Sequence, residues 1–208
     1  MSCSQLVHLR NDMQQFVTTR LSLLVRIRDA SDAESWSIFV NIYAPLIFRY
    51  ARRMGLQDAD AADLTQEVLR VVSESIERFE YDPAVGRFRG WLKKVAFFTG
   101  SQMKKKAARQ PVAAGDTAMN GRLAGLTDDA DSRFWNTEYS RRLFELAAER
   151  VRPTVKPVTW DAFFATAVED RDPAEVARQL GINVGSVYVA RSRVYARICD
   201  ALKELDER

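Results

Sequence analysis

The side chains able to do covalent chemistry are few and scattered in this chain of 208 residues: one histidine, His8, and two cysteines, Cys3 and Cys199, nearly the whole chain apart. Neither a disulfide framework nor a zinc site can be assembled from them. Carboxylates gather in a usable pattern at Asp63-Leu-Thr-Gln-Glu-Val68, whose spacing sets Asp63, Gln66, Glu67 and Arg70 on one helix face. Paired carboxylates can serve acid-base catalysis, but no histidine, nucleophile or metal-ligating cluster accompanies these. The face reads as a docking surface for a partner. No catalytic residue, metal or cofactor is implied, and no small-molecule substrate.

A second chemistry is polyanion binding. From Arg87 to Arg109 run eight basic residues (Arg87, Arg89, Lys93, Lys94, Lys104, Lys105, Lys106, Arg109) and no acidic one. Aromatic side chains are interleaved with them, as single-stranded nucleic acid requires: cations follow the phosphates while rings or pockets receive unstacked bases. Phe88, Trp91, Leu92, Val95 and Phe98 equally fit a buried stripe, and for Trp91, Leu92 and Val95 that reading prevails. The exposed basic residues then carry the contact.

A third lies in Ala174–Leu202. Pro173 opens a short helix that Gly181 ends in the left-handed conformation, and Asn183 caps a second helix starting near Val184. Val176, Leu180, Ile182, Val187 and Ala190 have the spacing of one shared seam, with Ala177 small where the helices cross. Gly185, Ser186, Tyr188, Val189, Ser192 and Arg193 fall on the other side. Such a helix-turn-helix can enter a major groove by its second helix; an ordinary helical hairpin would show the same seam.

The elements that must position these groups are helices throughout. With 47% hydrophobic residues and a net charge of +3, the chain is globular and long enough for two small cores. Residues 1–20 lack a period and form a tail, within which Met13 is an alternative start. Leu21–Ile27 is a short amphipathic helix, and Ser31-Asp-Ala-Glu34 has the form of a capping box. It opens a helix carrying Trp36, Phe39, Val40, Tyr43, Leu46, Ile47 and Tyr50 as core, kinked at Pro45 and stopped at Gly55. A helix from Asp58 to about Phe79 buries Leu64, Val68, Val71, Val72, Ile76 and Phe79. A turn at Glu80–Gly86 leads into the basic-aromatic helix, which runs to Lys106. Residues 107–131 dissolve into Ala, Gly, Asp and Thr and read as a flexible linker. Helical period returns at Phe134, Trp135, Tyr139, Leu143, Leu146 and Val151, ends at Pro153, and resumes at Trp160. The chain is expected to be all-α, two helical domains over 21–106 and 132–208 on a linker. No apolar run approaches a membrane span and no signal peptide is evident, so a cytoplasmic protein with no membrane partner is expected.

Taken together, these residues resemble bacterial RNA polymerase sigma factors of the extracytoplasmic function (ECF) subfamily, particularly the planctomycete kind. The markers are Asp63-Leu-Thr-Gln-Glu-Val68, Phe88-Arg-Gly-Trp-Leu92, and Val184-Gly-Ser-Val187 followed by Ser192-Arg-Val194, in this order and spacing. The resemblance implies sigma region 2, a bundle of three to four helices, over 21–106, and the region 4 helix-turn-helix over 132–208. Asp63, Gln66, Glu67 and Arg70 would meet the β′ clamp helices of core RNA polymerase, and the β flap is a further contact. Arg87, Arg89, Lys93, Lys94, Phe98, Gln102, Lys104 and Lys105 would serve melting and capture of the −10 element. Gly185, Ser186, Tyr188, Arg191, Ser192 and Arg193 would read the −35 element. An anti-sigma factor is a further partner the resemblance allows, and the factor itself is not an enzyme.

The sequence departs from the family where Phe98 replaces a common Asn and Gln102 a usual Asp or Asn, which bears on the base captured. Tyr188 replaces a common Lys or Arg and Ala190 a common Arg, removing two phosphate contacts, one of which Arg191 can restore. A weaker salt dependence of −35 binding follows. Two other readings compete: a stand-alone helix-turn-helix regulator, which has no use for the Asp63–Val68 face, and a helical protein-interaction module, for which Arg193 is dispensable.

Overall fold

The computed structural model describes residues 21–29, 31–76, 88–107 and 129–207, and every regular element among them is helical. In chain order these are α1 (Leu21–Arg26), α2 (Ala33–Arg53), α3 (Asp58–Ser75), α4 (Phe88–Ala107), α5 (Asp129–Val151), a 3-10 turn (Arg152–Thr154), α6 (Pro157–Ala167), α7 (Pro173–Leu180) and α8 (Val184–Glu207). The tail 1–20, the turn 80–86 with Phe79 and Arg87, and linker residues 108–128 lie outside the described residues. Two compact units divide the chain between Arg142 and Leu143, inside α5.

In the first unit α2, α3 and α4 pack against one another, with α1 on α2. The α2 stripe Phe39, Tyr43, Leu46, Ile47 and Tyr50 is buried together with Leu64, Val68 and Val72 of α3 and Phe88, Leu92 and Val95 of α4. Each stripe recurs at three and four residues, so the apolar face of each helix turns inward. Gly100 lets α4 come close to α3. A Cβ there would stand 2.8 Å from both Leu64 Cδ1 and Met54 Cε.

The start of α2 differs from the expected capping box. Asp32, not Ser31, is the N-cap: its carboxylate accepts from the Ser35 backbone N–H at 2.9 Å and from Ser35 Oγ at 2.8 Å. Ser31 is engaged elsewhere, since its N–H and hydroxyl both donate to Asp29. Arg26 Nε steadies the cap from α1 at 3.0 Å from Asp32 Oδ2. The helix continues through Pro45 to Arg53, and Gly55 follows with φ +86°.

In the second unit α6, α7 and α8 pack mutually. Asp172 caps α7, accepting from Ala174 N–H at 2.9 Å and Glu175 N–H at 3.0 Å, and Pro173 holds the first helical position. Gly181 closes α7 at φ 65°, a conformation that strains any side chain with a Cβ. Asn183 Oδ1 then accepts from the Ser186 N–H at 2.7 Å, capping α8.

Candidate nucleic-acid interface

The α3 stripe leaves its opposite face to solvent. Asp63, Gln66 and Arg70 are exposed there and Glu67 is half-buried, so the four residues expected to share a face do share it. Arg70 is held from both sides, by Glu67 Oε1 at 2.6 Å and Glu74 Oε1 at 2.5 Å. The hydrogen bonds from Arg70 lower the pKa of Glu67, and both carboxylates raise that of Arg70. Glu67 and Arg70 are thereby both held in their charged forms, and the ion pairs, being exposed, exchange readily for a partner's.

The α4 helix is the place where expectation and structure part. Arg89 and Lys93, expected to be exposed cations, are 4% and 7% exposed. They are buried under residues 129–142 of α5: the Arg89 guanidinium lies over the Tyr139 ring at 4.4 Å, and Lys93 Nζ donates to Ser132 Oγ at 2.9 Å. Phe88, beside them, is core, with its ring 5.9 Å from Phe39 and 5.7 Å from Tyr43. The remaining expected contacts stay accessible. Lys94 and Phe98 are half-buried, and Gln102, Lys104 and Lys105 are exposed. Lys104 donates to the Met54 carbonyl. Lys94, Phe98, Gln102 and Lys105 are spaced at four, four and three residues, so they make one stripe on α4. That stripe carries two cations, one ring and one amide, the functional groups that phosphates and an unstacked base demand. Arg87 lies outside the described residues.

Sequence assigns residues 132–142 to the second module; in the structure their contacts are with α2 and α4. Tyr139 stacks on Tyr43 with ring centroids 5.7 Å apart, and Trp135 meets Tyr50 at 5.3 Å. Around this aromatic centre Glu138 pairs with Arg49 at 2.6 Å and with Arg141 at 2.7 Å. Asp131 accepts from the Tyr50 hydroxyl at 2.8 Å and stands 3.5 Å from Arg53. The helical period of α5 gave no hint of this, because Leu143, Ala147 and Val151, also buried, continue the same stripe past the boundary at residue 142.

The α7 and α8 helices pack on the expected seam. Ala177, Val187 and Ala190 are buried with Ala162 of α6, and Leu180 and Ile182 pack against them. Gly185, Ser186, Tyr188, Ser192 and Arg193 are exposed and Arg191 is half-buried. Ala190, at 6% exposure, sits in the seam. Of the two substitutions read as lost phosphate contacts, therefore, only Tyr188 faces outward. A groove of about 700 Å³ runs between the first half of α8 and the segment before α6, lined by Thr154, Lys156, Asn183, Ser186, Arg193 and Arg197 among others. Lys156 and Arg197 did not stand out in the sequence, since neither belongs to a motif. Arg197 Nη1 donates to the Thr154 carbonyl at 2.6 Å and hydroxyl at 2.8 Å, which fixes its head at the groove wall.

With this geometry in view, residues 39–109 match the family Sigma-70 region 2. The match takes in α2 from Phe39 onward together with α3 and α4, and so both the polar α3 face and the α4 stripe. A region 2 domain supports sigma-factor-like binding of RNA polymerase and promoter melting. No helix among the described residues is long and apolar enough to cross a membrane.

Proposed function

We propose that this chain is a sigma factor of the ECF kind, planctomycete-like in its motifs, that binds core RNA polymerase and directs initiation at promoters with −10 and −35 elements. The observation that carries the reading is the coincidence of the Sigma-70 region 2 match with a bundle whose α3 face exposes Asp63, Gln66 and Arg70. In this reading Asp63, Gln66, Glu67 and Arg70 dock on the β′ clamp helices. Lys94, Phe98, Gln102 and Lys105 meet the melted −10 strand. Unstacking a base step costs a few kcal/mol, which phosphate contacts and a captured base offset. The helix-turn-helix places Ser186, Tyr188 and Arg193 in the major groove of the −35 element, with Gly185 allowing close approach and Arg191 and Ser192 beside them. The nucleotidyl transfer belongs to the polymerase, and the factor works in the cytoplasm, where an anti-sigma factor would be a natural regulator.

The test is capture of bacterial core RNA polymerase by the purified chain, beside a Gln66→Ala, Glu67→Ala double variant. Stoichiometric capture by the native chain and loss in the variant is expected. Retention of duplex DNA binding without capture by either protein would make a stand-alone regulator the better account.

A further inference from the structure

We propose that residues 129–142 of α5 are an internal competitor for nucleic acid on the basic face of α2 and α4. In the arrangement described here Arg89 and Lys93 cannot reach a polynucleotide, and they become available only when that segment is released. This rests on the reading of α4 as a promoter-binding helix and adds regulation at the same site.

The contacts that 129–142 makes are those a nucleic acid would make. Carboxylates stand where phosphates would: Glu138 on Arg49, Asp131 near Arg53. Ring faces stand where bases would: Tyr139 under the Arg89 guanidinium at 4.4 Å, and Phe134 under that of Arg53 at 4.9 Å. Ser132 takes the ammonium of Lys93. Four cations drawn from α2 and α4 are thus matched by one short stretch, in which acidic and aromatic residues alternate along the covered face. A polyanion and this stretch cannot occupy that face together.

The closed arrangement is held but not sealed. The stacked Tyr43–Tyr139 pair and the Tyr50–Trp135 contact give it an apolar centre. At its rim Arg49 and Arg53 are about one-third and nearly half exposed, so their ion pairs can be traded for phosphate oxygens. Within the centre, Trp135 Nε1 is buried with no hydrogen-bond acceptor among the described residues. That unmet donor penalises the closed form alone, because release returns the indole to water. A ligand with differential affinity for the open form is what such an element responds to.

The experiment compares the full native chain with the pair Asp131→Asn, Glu138→Gln and with a control pair, Asp200→Asn, Glu204→Gln, which removes the same charge from exposed positions of α8. Binding of a labelled single-stranded oligothymidine and capture of core polymerase are measured on all three proteins. The Asp131, Glu138 pair should tighten oligonucleotide binding roughly tenfold or more over both other proteins, within the range of ordinary couplings. Equal binding by the two pairs, or no gain over the native chain, overturns the proposal. Core capture distinguishes the two ideas: capture without a contrast in DNA binding leaves the sigma reading standing and removes the competitor, whereas a contrast without capture does the reverse.

Discussion

Arg142 donates from Nε to the carbonyl of Asn41 at 2.8 Å. Asn41 stands four residues before Pro45, and in an uninterrupted helix the N–H at position 45 would fill that acceptor. Proline has none to give. An arginine 101 residues away in sequence therefore supplies the hydrogen bond that α2 cannot make for itself, at the place where its own sequence interrupts the ladder. The same arginine lies at the end of the stretch that covers α2 and α4, so the irregularity of α2 is also a point of attachment for α5.

Removing the donor should therefore weaken the first unit only as long as the proline is present. Arg142→Ala is expected to lower stability by about 1 kcal/mol, the size of a partly exposed hydrogen bond from a charged group. In a Pro45→Ala background the alanine N–H can serve Asn41, and the loss from Arg142→Ala should shrink by roughly 0.5 kcal/mol or more. Urea unfolding of the four proteins, followed by tryptophan fluorescence, measures the cycle. Strict additivity would mean that Arg142 acts through other contacts alone.

What the sequence made legible follows from distance along the chain. The α7–α8 pair is written in neighbours: Asp172, Pro173, Gly181 and Asn183 act on groups within three or four residues, and the seam of Val176, Ala177, Val187 and Ala190 joins two adjacent helices. The α3 face was legible for the same reason, as one helix with one apolar stripe. The burial of Arg89 and Lys93 was not legible. Their partners Tyr139 and Ser132 lie beyond residues 108–128, and nothing in a basic-aromatic helix says that a later segment will cover it. The α4 stripe Lys94, Phe98, Gln102 and Lys105 emerges only once those two cations are subtracted. Lys156 and Arg197 escaped because a groove is made by two segments and neither contains a motif.

The cap at Asp32 gives the first unit a dependence on acid. Hydrogen bonds from the Ser35 backbone and hydroxyl, and then Arg26, hold the Asp32 carboxyl below its ordinary 3.8. A depressed folded-state value means that the unfolded chain binds the proton more readily, so the cap stabilises α2 above about pH 3.8 and its contribution fades as pH falls through the folded value. Asp32→Ala should lower the melting temperature at pH 7 and lose less between pH 5 and pH 2 than the native chain does, where ordinary carboxylates titrate. Thermal unfolding across that range checks it; parallel acid limbs for the two proteins would rule the cap out as a contributor.

On the proposed function, the second unit should show its groove in the salt dependence of promoter binding. Tyr188 faces outward where a cation would add a phosphate contact, and Ala190 is buried in the seam, so α8 itself offers mainly Arg193 at its exposed middle, with Arg191 half-buried. Lys156, across the groove, can supply a charge from a second segment. Each phosphate neutralised contributes about 0.9 to the slope of log K against log salt on duplex DNA. Arg193→Ala and Lys156→Ala in the polymerase-bound factor are each expected to lower that slope by about 0.9, as loss of one phosphate contact does. Ser186→Ala, at the capped start of α8, should instead weaken binding to one −35 sequence more than to others while the slope stays the same, as loss of a base contact would. Filter binding at a series of potassium chloride concentrations, on two promoters differing only in the −35 element, separates the two behaviours. An unchanged slope for Lys156→Ala would take the far wall of the groove out of the DNA interface and leave recognition to α8 alone.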